Sequence, residues 1–232
     1  MQRKETEKMN LINDCKEKII IAAHRGAAGG NIPCNTMPAY EIAVKQGADM
    51  IEIDLNMTAD GQLVIFHPKE ERDHLGFCGS IRDYTLDQIR SVLRYVNYDR
   101  TQTEWTLCTF DEVCENFKGR CYINVDKFWD FPKEISQAIR KHGIQDQIVV
   151  KSAPKPHVAD VLEEFAPEIM FMPIYKNNCG EWHEELKRRK INYIGAELVF
   201  FTETCEVGTA EFREKLKNEG YLLWGNAILY NY

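Results

Sequence analysis

The eight cysteines of this chain include no Cys-x-x-Cys pair, which excludes a zinc knuckle or a dithiol redox motif. No Gly-x-Gly-x-x-Gly follows the first apolar run, so a dinucleotide fingerprint is missing as well. The longest apolar stretches are far short of the roughly 20 residues needed to cross a bilayer. Basic charge is also scarce: 29 Lys and Arg face 36 Asp and Glu, for a net charge of -7. Nucleic acid is therefore not expected as a partner, because such surfaces need excess cation to displace counterions from phosphates. The segment Met1 to Lys18 is charged throughout and has no apolar h-region. It is not a signal peptide as given, and cytoplasm is the default location. Repeats, low-complexity tracts and linkers are missing too.

What remains is ordinary globular composition, 44% hydrophobic and 28% charged over 232 residues. That length suits a polar N-terminal extension over 1–17, carrying a short helix, followed by one domain over 18–232. Lys18 to His24 reads as a buried strand ended by Arg25-Gly26. The pattern predicts a helix over 36–46 closed by Gly47, a strand over Met50 to Met57, a turn at Thr58-Ala-Asp-Gly61, and an extended return over Gln62 to His67. Helical segments follow at Leu86 to Leu93 and Asp111 to Phe117. Strands at Cys121 to Phe128, Gln147 to Ser152, Ile169 to Tyr175, Tyr193 to Phe201 and Tyr221 to Ile228 then alternate with helices at Pro132 to His142, 156–166, Glu181 to Arg189 and Ala210 to Asn218.

Apolar strands separated by amphipathic helices indicate a parallel sheet covered by helices. With the return to His67 counted as an excursion, seven strands suggest an α/β, (β/α)8 TIM-type barrel lacking its last strand-helix unit in the chain as given. Such a barrel would leave open edges. Continuation of the natural chain, the N-terminal segment, or a second copy in a homo-oligomer would then cover the gap.

Polar residues recur at the strand ends: His24 and Arg25, Glu52 and Asp54, His67, Asp126 and Lys127, and Lys151. That is where a barrel builds its active site. Glu52 and Asp54 stand two apart on one strand, so they share a face. Two such carboxylates repel unless a cation neutralises them, and Asp126 would complete an oxygen set for one hard divalent ion, Mg²⁺ or Ca²⁺. The bland alternative is a structural network of these acids with Arg25, Lys127 and Lys151. His24 and His67 supply two acid-base groups, and Arg25 a fork suited to phosphate. His74, His142, His157 and His183 fall in loops or on helices and read as solvent-facing.

His24-Arg25-Gly26, Pro33-Cys34-Asn35-Thr36, Gly47-Ala48, Glu52-Ile53-Asp54, Thr58-Ala59-Asp60-Gly61 and Val64-Ile65-Phe66-His67 together resemble the first third of the glycerophosphodiester phosphodiesterases. Tyr84-Thr85-Leu86, Thr109-Phe110-Asp111-Glu112-Val113, Asp126 and the late Trp224 extend the resemblance. It implies catalytic roles for His24 and His67, phosphate binding by Arg25, and metal ligation by Glu52, Asp54 and Asp126. Lys127 or Lys151 would replace the family lysine, whose position holds Phe128. Asn35, Glu197 and Trp224 join the candidate set as substrate-pocket residues. Three departures stand out: Cys34 where glutamate is usual, Pro68 where an aspartate usually follows the second histidine, and Asp126 where glutamate is usual.

The reading is a metal-dependent hydrolase of glycerophosphodiesters, a small-molecule enzyme of glycerol and lipid metabolism. Asp126 is also similar to the third ligand of the venom phospholipase D relatives, which cyclise their substrates. An inactive phosphodiester-binding barrel is the rival outside the enzymes. The scattered cysteines predict free thiols, so reductant should leave the melting temperature unchanged. A fall of roughly ten degrees in a thermal scan, the scale of a lost disulfide, would contradict this.

Overall fold

The computed structural model describes residues 9–97, 99–200, 202 and 204–226. The chain divides into two compact units, one comprising Met1–Leu11 and Lys18–Ile148, the other Ile12–Glu17 and Val149–Tyr232. The fold is α/β. Its first helix, α1 (Leu11–Glu17), is the short one expected in the polar extension.

In the first unit, strand β1 (Ala22–Ala23) pairs in parallel with β2 (Met50–Met57), Ala22 opposite Met50. Helix α2 (Met37–Lys45) connects them. β3 (Leu63–Ile65) runs antiparallel to the far end of β2, with Leu55 opposite Ile65. The expected return over Gln62 to His67 is thus shorter as a strand. After β3 come α3 (Glu71–Leu75), α4 (Leu86–Val92) and α5 (Phe110–Phe117), then β4 (Tyr122–Asp126) and α6 (Pro132–His142). α3 has no counterpart in the sequence reading. β4 lies parallel to β2 on the side away from β3, with Asp54 directly opposite Asp126.

Local chemistry sets several of these boundaries. Thr85 and Thr109 each cap a helix while Gln88 and Glu112 return the hydrogen bond, the reciprocal pattern that satisfies otherwise orphaned N–H groups. The excursion after β3 has its own core, in which Val64, Phe66, Leu75, Ile81, Ile89, Tyr95 and Leu107 pack together. Phe66, a member of that core, directly precedes His67.

The second unit contains β5 (Ile148–Ser152), β6 (Met170–Tyr175), β7 (Gly195–Leu198) and β8 (Leu222–Trp224), all parallel neighbours in that order, with α7 (Pro156–Phe165), α8 (Cys179–Leu186) and α9 (Ala210–Asn218) between them. Tyr175, Cys179, Ala196, Leu198, Val207, Phe212 and Leu216 form its core. β7 and β8 approach closely: a Cβ on Gly195 would lie 2.3 Å from the Leu222 carbonyl oxygen.

Two expectations need correction. The run Lys18 to His24 is a strand only at Ala22–Ala23, and its alternate residues Ile19 and Ile21 are 87% and 59% exposed. Asp49 takes the Ile21 N–H and pairs with Lys18, which binds the run by polar contacts and leaves both isoleucines facing solvent. The expected strands Tyr193 to Phe201 and Tyr221 to Ile228 are shorter; Phe201 and residues 227–232, where the end of the barrel was at issue, lie outside the described residues. All eight cysteines are free, and burial pushes the thiols of Cys108 and Cys121 up to about 12. No helix among the described residues is long and apolar enough to cross a membrane.

The turn after β1 depends on Gly26. Its φ is +81°, and an added Cβ would lie 2.8 Å from the Ala39 backbone of α2. Gly26→Ala should therefore destabilise the fold by about 2 kcal/mol or more, through both φ strain and the clash. Denaturant unfolding of the two proteins side by side measures it, and equal midpoints would refute the packing argument.

Candidate active site

Midway along β2 and at the C-terminal end of β4, carboxylate oxygens of Glu52, Asp54 and Asp126 lie within 4.8 Å of one another. The strand period puts Glu52 and Asp54 on one face, and the β2–β4 register brings Asp126 alongside. Asp54 is 1% exposed, Glu52 is also buried, and Asp126 is 42% exposed, so the cluster is open on one side.

This much negative charge is held by neighbours. Asn35 donates through Nδ2 to Asp54 Oδ2 at 2.8 Å, and its own Oδ1 accepts from Tyr40 Oη at 2.8 Å. Arg25 places Nε 3.0 Å from the same Asp54 oxygen, and its backbone N–H donates to Glu52 Oε2 at 2.9 Å. That backbone contact requires the left-handed conformation at Arg25, φ +56°. Burial works against the Arg25 charge, but Asp54 and Glu70 outweigh it and raise its pKa. Lys127, also left-handed at φ +61°, lays its ammonium on Asp126 Oδ2 and 3.6 Å from Asp54 Oδ1. Burial would lower the Lys127 pKa; Asp126 first, then Asp54 and Glu52, raise it instead.

Two observations fit a divalent cation here. Asp54 Oδ1 is buried and accepts no hydrogen bond. Glu52 is driven well above the ordinary carboxylate range, by burial first and then by Asp54 and Asp126. An all-oxygen set with an unsatisfied buried carboxylate oxygen is the donor chemistry that Mg²⁺ or Ca²⁺ takes.

The two candidate histidines flank the acids. His24 is 62% exposed, with Nε2 3.9 Å from Glu52 Oε2. His67 has Nδ1 3.0 Å from Glu70 Oε1. Glu70, which the sequence reading did not single out, also meets Arg25 Nη1 through both oxygens, at 3.1 and 3.0 Å, and lies 3.1 Å from His74 Nε2. Its only sequence signal is its spacing of three from His67 across Pro68-Lys69. Cys34 is partly buried beside Arg25; burial raises its thiol pKa more than Arg25 lowers it.

Other candidates lie in the second unit. Lys151 Nζ is 2.7 Å from Glu197 Oε2 and 3.8 Å from the centre of the Trp224 ring, and Asn226 donates to Glu197 Oε1 at 2.8 Å. The lysine charge is thus shared between a carboxylate and an aromatic face.

The histidines read as solvent-facing divide. His157 is exposed. His183 is instead fully buried, its Nδ1 2.8 Å from Tyr193 Oη and its Nε2 3.1 Å from Glu219, with burial lowering its pKa more than Glu219 raises it. His142 is mostly buried against Asp111 at 2.6 Å. His74 is half-buried on Glu70. In each case a carboxylate distant in sequence or one turn away satisfies the ring and permits the burial.

An α/β fold that sets three acids, an arginine and two histidines close together along its strands and the turns that follow them is the class defined here. Residues 24–193 match the model of the glycerophosphoryl diester phosphodiesterase family. The chain belongs to that family. It is 26% identical over 180 residues to a glycerophosphodiester phosphodiesterase of Caldanaerobacter subterraneus, covering 73% of this chain and 72% of the relative. With one of Bacillus subtilis identity is 39% over 173 residues, 66% of this chain and 58% of the relative. The fold is shared with a glycerophosphoryl diester phosphodiesterase of Parabacteroides distasonis, at TM-score 0.75 and 20% identity over 93% of this chain and 77% of that one. It is also shared with an Oleispira antarctica phosphodiesterase in complex with the product sn-glycerol-3-phosphate, at TM-score 0.68 and 20% identity over 92% and 86%.

Cation binding should release protons, because ligation requires the anion of a Glu52 that burial and its neighbours hold protonated. The sign follows: in the cation-free protein the neutral Glu52 contributes stability at low pH that is lost as pH rises through its raised pKa, whereas cation affinity rises over the same window. Calorimetry with Mg²⁺ or Ca²⁺ in buffers of different ionisation enthalpy should show release of up to about one proton at neutral pH. Binding that strengthens on acidification would remove Glu52 from the ligand set.

Proposed function

We propose that the protein hydrolyses glycerophosphodiesters to glycerol phosphate and an alcohol, with a divalent cation held by Glu52, Asp54 and Asp126. The observation that carries this reading is the convergence of those three acids beside Arg25 and His67 in one unit. The glycerol phosphate bound by the Oleispira relative supports the substrate class.

When bound, the cation would supply positive charge to the nonbridging phosphate oxygens. Arg25, already oriented by Asp54 and Glu70, offers its guanidinium to the same oxygens and stabilises the charge that grows there. Lys127, poised on Asp126, is a second phosphate contact. Lys151, Glu197 and Trp224 are assigned to substrate contact on sequence grounds. His24 and His67 share the proton transfers: one accepts the proton of the attacking water as the new P–O bond forms, and the other donates to the leaving alkoxide as the old P–O bond breaks. The Asp126 ligand favours testing a second outcome, attack by the neighbouring glycerol hydroxyl to give a cyclic phosphate.

Turnover of a panel of glycerophosphodiesters with Mg²⁺ or Ca²⁺, followed by ³¹P NMR, should give the monoester; a persistent cyclic phosphate would reassign the nucleophile. Replacing either His24 or His67 by Ala should lower turnover by about two to four orders of magnitude with the fold intact. Near-normal turnover in either variant, at saturating cation and substrate, would remove that histidine from the mechanism.

A further inference from the structure

We infer that Glu70 is the positioning carboxylate of the site, fixing the imidazole of His67 and the guanidinium of Arg25 with one side chain. This rests on the proposed phosphodiesterase reading for its consequences, though not for its geometry.

The backbone delivers Glu70 by a tight turn. Glu70 N–H donates to the His67 carbonyl at 3.4 Å, Pro68 occupies the second position, and Lys69 the third with φ +72°. Proline at the second position and a positive φ at the third are the requirements of a type II turn. The carbonyl of Glu70 then accepts from Asp73 and His74 at 3.1 and 2.9 Å as α3 begins. Both ends of the residue are anchored. Pro68, where an acid usually follows the second histidine, thus builds the turn that returns an acid to the same ring from three residues on.

The side chain accepts hydrogen bonds from Arg25 and stands at ion-pair distance from two rings. Oε1 is 3.0 Å from His67 Nδ1, both oxygens are within 3.1 Å of Arg25 Nη1, and Oε2 is 3.1 Å from His74 Nε2. His67 Nδ1 is buried and meets no aligned hydrogen-bond partner, so the carboxylate 3.0 Å away acts by its charge, favouring the tautomer that carries the proton on Nδ1 and leaving Nε2 for proton transfer. Binding Arg25 with the same carboxylate ties the phosphate-binding fork to the acid-base ring. An isolated ion pair this accessible would contribute little to stability. Its value is in orientation.

Glu70→Gln preserves size and removes the charge and the one-way preference for a donor. Three measurements test it. Thermal melting should be nearly unchanged. In ¹⁵N NMR of labelled protein in alkaline buffer, where imidazoles are neutral, wild-type His67 should show the Nδ1–H tautomer, and the variant a mixture or the opposite form. With glycerophosphodiester substrate, kcat should fall about 10- to 100-fold, more than KM changes. The inference is overturned if wild-type His67 carries its proton on Nε2, if the tautomer is the same in both proteins, or if kcat is unchanged while His67→Ala is inactive. Because the tautomer needs no substrate, a wild-type protein that turns over no glycerophosphodiester but shows the tautomer change would sink the reaction reading and keep Glu70 in its positioning role.

Discussion

Mutual repulsion among Glu52, Asp54 and Asp126 is the constraint around which the first unit is arranged. Three carboxylates drawn together on two neighbouring strands are unfavourable in proportion to their burial, and burial is greatest at Asp54. The surrounding structure answers that cost. Asn35, fixed by Tyr40, aims an amide at Asp54; Arg25 adopts a left-handed backbone to reach Glu52 with its N–H and Asp54 with its side chain; Lys127 adopts another to lie on Asp126. Even the tight seat of Gly26 against α2 follows, since it holds the Arg25 turn over the acids. Backbone strain of this kind collects where a site needs side chains that relaxed geometry would not supply.

Much of the arrangement was legible beforehand, for reasons that can be named. β2, α6 and α9 have the expected bounds because long periodic segments with clear punctuation report their own geometry. Glu52 and Asp54 followed from a period of two on a buried strand, and Asp126 from the rule that barrels work at their strand ends. β1 misled because five apolar residues in a row read as buried, whereas Ile19 and Ile21 lie open and polar contacts from Asp49 bind the segment. His183 misled in the opposite direction: α8 is rich in charge, and what buries its histidine is Tyr193, Tyr221 and Glu219, none visible in a local window. Glu70 escaped because its importance depends on a turn, and spacing alone does not reveal a Lys69 with positive φ.

The departures from the family pattern acquire physical meaning in this light. Pro68 is part of a turn whose product is an acid beside His67. Cys34 stands beside Arg25 where glutamate is usual, and Arg25 finds its second carboxylate in Glu70 instead. Asp126, where glutamate is usual, takes the ammonium of the adjacent Lys127. At each of these positions a neighbour supplies a charge or a contact.

The position of Lys127 bears on what the fold itself asks of a cation. With its ammonium on Asp126 and near Asp54, and Arg25 also on Asp54, the acidic cluster carries its own counter-charge within the fold. Domains whose ligands have no such internal partners, zinc fingers among them, stay unfolded until metal arrives. Here the charge of the acids is answered by side chains of the same unit. On the proposed reading, a cation would enter a site whose scaffold already stands, and stripping it would cost turnover and not the fold.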